Sequence, residues 1–118
     1  MTVEECYEAI KGDYTEVAAR YKTDDKIKKA MRKALNDGCF SVLCGAAECG
    51  DAEETLSAAQ ELRTICSNLS FRNLGYSVTA FAECIRANGF GKEAEAVLKQ
   101  VKMDYALTSA CVRLVTDE

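Results

Sequence analysis

The chain has 118 residues, 29% charged and 48% apolar, with a formal net charge of −4. This is the length of one globular domain, enough for one modest core and too little for two. The acidic balance argues against nucleic-acid binding by bulk electrostatics, and no apolar run approaches the ~20 residues that cross a bilayer.

Met1-Thr2-Val3-Glu4-Glu5 is acidic at once and lacks the basic segment of a secretion signal. The expected location is therefore the cytoplasm. There is no proline, which favours uninterrupted helices. Thr2 and Glu5 have capping-box spacing and predict a short helix to about Ile10. Lys11-Gly12-Asp13 breaks it, and Asp13 with Glu16 starts a second helix through Tyr21. Thr23 or Asp24 caps a basic helix that ends near Leu35, where Asn36-Asp37-Gly38 is a strong stop. A short apolar helix follows from Cys39 to Cys49 and is ended by Gly50. Asp51 with Glu54 opens the next, which runs to about Leu69. Ser70 is the expected cap of a helix from Phe71 to Asn88. Gly89-Phe90-Gly91 is the last turn, before a helix from Lys92 to about Val115.

Phe71, Leu74, Val78, Phe81 and Ile85 form one apolar stripe at helical spacing. Val97, Val101, Tyr105 and Val112 form another in the last helix, widened by Leu98, Leu107, Cys111 and Leu114. Nothing alternates with the period of a strand. Short connections between long helices imply antiparallel neighbours. The expected fold is all-α: a single domain over 1–118, with N-terminal helices in 1–37 and an antiparallel, up-and-down four-helix bundle in 38–118.

The seven cysteines contain no Cys-x-x-Cys pair, and the chain has no histidine. Mixed Cys/His zinc sites and Ser/His/Asp or Cys/His catalytic sets are thereby excluded. Cys39, Cys44 and Cys49 recur every fifth residue, which steps around a helix rather than lining one face. They read as small apolar residues in a reducing compartment. No metal and no cofactor is expected. Lys26, Lys28, Lys29, Arg32 and Lys33 form a basic run, readable as a solvated helix face or as a site for an acidic or phosphate-bearing partner.

On a helical wheel, Ala58, Ala59, Leu62, Ile65, Cys66 and Leu69 make the core side of the Asp51–Leu69 segment. Gln60 lies nearly opposite, with Glu53, Leu56, Ser57, Arg63, Thr64 and Ser67 around it. Periodicity alone makes this a solvated face.

The stretch Ala58-Ala59-Gln60-Glu61-Leu62-Arg63-Thr64-Ile65-Cys66-Ser67-Asn68-Leu69-Ser70-Phe71 resembles the signature of histidine-containing phosphotransfer (HPt) domains. One common version of that signature reads Ala-His-x-Leu-Lys-Gly-x-x-x-Asn-Leu-Gly-Phe. The register is unbroken from Ala59 to Phe71, and Leu62, Asn68, Leu69 and Phe71 match. Gly50-Asp51, the Leu74 stripe and the long last helix fit the family's helix order. Glu4-Glu5-Cys6-Tyr7 and Gly12-Asp13-Tyr14 extend the likeness more weakly. The resemblance implies a phosphorelay setting, with a receiver domain or histidine kinase as partner. It implies a partner-binding surface at Gln60, Arg63, Thr64, Ser67, Ser57 and Leu56.

The departures fall at the reacting position. The family's phosphorylated histidine falls on Gln60, its lysine on Arg63, and its glycines on Thr64 and Ser70. An imidazole nitrogen attacks an aspartyl phosphate. A glutamine amide, its lone pair delocalised into the carbonyl, only donates and accepts hydrogen bonds. The expectation is a binding module that cannot transfer phosphate. Two alternatives stand beside it: a phosphotransfer protein whose histidine was replaced at Gln60, and a helical interaction protein outside two-component signalling. The oligomeric state is left open.

Overall fold

The computed structural model describes residues 1–117, and its described residues contain no strand. Seven helices follow in order: α1 (Val3–Ala9), α2 (Tyr14–Tyr21), α3 (Asp24–Leu35), α4 (Cys39–Cys49), α5 (Ala52–Leu69), α6 (Arg72–Asn88) and α7 (Lys92–Thr116). The starts lie where local capping chemistry puts them. Thr2 Oγ1 accepts from the Glu5 N–H at 3.1 Å, and Glu5 Oε1 accepts from the Thr2 N–H at 2.9 Å. Asp13, Thr23 and Asp51 each accept from the backbone N–H three residues on.

Ser70 departs from its expected role. It closes α5 in the left-handed conformation, φ 55°, and Phe71 is the residue that precedes α6, with no side-chain cap. The Ser70 hydroxyl is spent elsewhere, donating to Glu16 Oε1 at 2.6 Å.

One core draws on all seven helices. Consecutive helices from α4 to α7 pack on one another, and α3 lies mainly on α7. The Phe40 ring of α4 stacks on Tyr105 of α7, centroids 3.8 Å apart and nearly parallel. All five residues of the α6 stripe are buried. The α7 face is narrower than its sequence suggests: Leu107 and Leu114 are 47% and 57% exposed. They lie outside the wedge that α1, α3 and α6 cover. No helix among the described residues is long and apolar enough to cross a membrane.

The N-terminal helices have a specific task, because the last carbonyls of any helix lack intrahelical partners. At the end of α5, Arg20 of α2 donates to the Ser67 and Asn68 carbonyls. The Tyr7 hydroxyl of α1 donates to the Leu69 carbonyl at 2.6 Å. The Asp13 N–H donates to the Ser70 carbonyl at 3.0 Å. The α1–α2 pair thus caps α5 from outside.

An ion cluster closes this junction. Arg72 reaches Asp13 at 2.9 Å and Glu16 at 3.1 Å. The Ser70 hydroxyl, then the Arg72 guanidinium, hold the Glu16 carboxyl below its ordinary value. A depressed carboxylate contributes stability that is complete above the unfolded value, 4.5, and fades as pH falls through the lower folded value. Thermal melts should therefore lose less stability between about pH 6 and about pH 3 in Glu16→Gln than in the parent. Equal acid losses in the two proteins would rule this out.

Candidate functional site

The middle of α5 presents an exposed polar face because its apolar residues are drawn to the other side. Thr55, Ala58, Ala59, Leu62, Cys66 and Leu69 are buried, while Ser57, Gln60, Thr64 and Ser67 are exposed and Arg63 is half-buried. Two residues differ from the wheel. Leu56, read as part of the outer face, is half-buried and packs against the core. Ile65, read as core, is only half-buried. Each sits on the boundary between the two faces, where neighbouring helices decide burial.

Gln60 stands near the centre of this face. Arg63 Nη1 lies 3.4 Å from Gln60 Oε1, a long and weak hydrogen bond. The amide is therefore nearly free to exchange partners. The Thr64 hydroxyl is turned back on the helix and donates to the Gln60 backbone carbonyl at 3.0 Å.

Hollows flank the face on both sides. One, of about 320 Å³, runs from Arg63 and Ser67 to Gly75, Tyr76 and Thr79 of α6. Tyr76 is 68% exposed. The other lies among Asp37, Gln60, Glu61, Thr64 and Ile65. Sequence reasoning missed Tyr76. The available signal was an aromatic residue off the Leu74–Val78 stripe, and only the α5–α6 packing brings it beside Ser67.

Comparison with family models, curated proteins and solved structures finds no match to this chain.

The functional reading therefore rests on the face itself. The two buried thiols near it, Cys39 and Cys66, are pushed up to about 12, both chiefly by burial. Asp37 adds to the effect at Cys39: Asp37, Cys39 and Glu61 bring their ligating atoms within 4.8 Å of one another. A thiol held protonated at neutral pH is a poor nucleophile. What the face offers is an amide, a guanidinium, hydroxyls and one exposed aromatic ring, a set suited to hydrogen bonding and docking.

Proposed function

We propose that the chain is an HPt-like docking module of phosphorelay signalling that binds a receiver domain or histidine kinase without passing on a phosphoryl group. The observation that carries this reading is the exposed Gln60 at the centre of α5, set between two open hollows and inside the HPt-like register from Ala59 to Phe71. A residue selected only for the core would not stand there. In this reading α4 to α7 form the family's antiparallel four-helix bundle. Their consecutive packing and the Phe40–Tyr105 stack support that arrangement.

The contact face comprises Leu56, Ser57, Gln60, Arg63, Thr64 and Ser67, and Tyr76 joins it from α6. Exposed tyrosines flanking a polar centre are common binding anchors. Titration calorimetry against a panel of receiver domains and kinases should find at least one partner. Tyr76→Ala should weaken that complex about tenfold, ~1.4 kcal/mol, with the fold intact by circular dichroism. A panel with no binder would remove the docking reading. A binder unaffected by Tyr76→Ala and by Thr64→Arg would move the contact to another face.

A further inference from the structure

The densest basic run in the molecule lies on and just before α3. Residues 22–33 hold six cations against two acids, in a chain of net charge −4. Lys26, Lys29 and Lys33 follow one another at steps of three and four, so they line one side of the helix, and Lys22 stands just before its start. All four are exposed. Among the described residues no ion pair reaches these lysines. Asp24, at the start of the helix, is engaged by the Tyr14 hydroxyl at 2.8 Å.

The stripe runs into the face already described. Lys33 and Ala34 of α3 share a hollow of about 220 Å³ with Ile65 and Asn68 of α5. Ile65 also borders the hollow beside Gln60. Gln60, Ile65 and Lys33 thus lie on one continuous surface. At physiological salt, charges more than ~8 Å apart in solvent are largely screened. Asp37 borders both hollows and Glu61 the one beside Gln60, so a partner seated here meets two acids at the seam and the lysines beyond it.

We propose that the docking face extends from Gln60 across the Ile65 hollow onto the α3 lysine stripe, and that the surface it receives is an acidic protein surface. This rests on the reading of the α5 face as a docking face. The lysines act chiefly on encounter and orientation, which makes binding salt-dependent.

The test uses the full chain, ¹⁵N-labelled, titrated with receiver domains, with poly-L-glutamate and with phosphatidylglycerol vesicles. The paired variants are Lys26→Glu with Lys29→Glu, and, as a control of equal charge change at the other end of the molecule, Lys92→Glu with Lys102→Glu. A bound receiver should shift amide signals of the Gln60 face and of α3 together. Its affinity should fall about tenfold between about 50 and about 200 mM salt. The α3 pair should weaken it about tenfold or more, and the control pair less than about twofold. A receiver that shifts α5 but leaves α3 unmoved, with the α3 pair silent, overturns the extension while the docking reading stands. Poly-L-glutamate shifting the α3 and Ile65 signals in the absence of any receiver binding supports the acidic occupant and removes the receiver reading. Vesicles binding at α3 where poly-L-glutamate does not would assign the stripe to a lipid surface and overturn the proposal. So would the absence of any α3 shift with every probe.

Discussion

Gln60→His is expected to take up acid-labile phosphate from a phosphorylated receiver, where the parent protein takes up none. The parent has no imidazole anywhere in the chain, and an amide nitrogen does not attack an aspartyl phosphate. The substitution puts a nucleophile on an exposed, mid-helix position with a guanidinium one turn ahead. Thr64 limits the gain. It is exposed one turn further on, at the position where HPt-like sequences carry glycine, and its branched side chain is expected to hold an approaching aspartate away. A misplacement of about 1 Å costs ~10²-fold in rate. Gln60→His should therefore label slowly, and Gln60→His with Thr64→Gly clearly faster. The measurement is radiolabel retained in alkali and lost in acid, with circular dichroism confirming the helix content of both variants. If a receiver binds and both variants stay unlabelled, the phosphorelay reading of the α5 face fails, whatever else that face binds.

What the sequence discloses about this molecule follows from how local each cause is. Helix starts at Thr2, Asp13, Thr23 and Asp51 are legible because each cap bonds to a backbone N–H three residues away. The α5–α6 boundary is not, because the Ser70 hydroxyl is claimed by Glu16, a residue 54 positions distant. The α6 stripe is legible because α5 and α7 cover that face from both sides. Leu107 and Leu114 mislead because an apolar face of given width does not state how many helices cover it. At the candidate site, the exposure of Gln60 follows from helical periodicity alone. Tyr76, the Ile65 hollow and the Lys33 edge come from neighbouring helices, so no single-helix pattern contains them. The capping of α5 by Tyr7 and Arg20 is likewise tertiary, and it carries the largest expected effect on stability.

Tyr7→Ala is expected to destabilise the protein by about 3–5 kcal/mol, a large part of the ~5–15 kcal/mol that holds a domain of this size together. The Tyr7 ring is fully buried. It packs between Tyr14 and Phe71, with centroids 6.2 and 5.7 Å away. Burial raises its phenol well above the ordinary range, so the proton that bonds the Leu69 carbonyl is held at neutral pH. Tyr7→Phe keeps the ring and removes only that bond, and should cost about 1–2 kcal/mol through the carbonyl left without its donor. Gly12 also meets this ring. A Cβ built there would lie 2.6 Å from Tyr7 Cδ1 and 2.8 Å from the Ser70 carbonyl oxygen. The ring is packed and the carbonyl is backbone, so neither yields freely. Gly12→Ala should cost about 1–3 kcal/mol. The two sites then couple with a definite sign. Removing the ring relieves half of the clash at position 12, so Tyr7→Ala with Gly12→Ala should lose less than the sum of the single losses, by at least ~0.5 kcal/mol. Urea midpoints at unchanged slope read all four variants on one scale. Strict additivity would place the Gly12 clash on the Ser70 carbonyl alone, and a neutral Tyr7→Phe would remove the Tyr7 hydroxyl from the capping of α5.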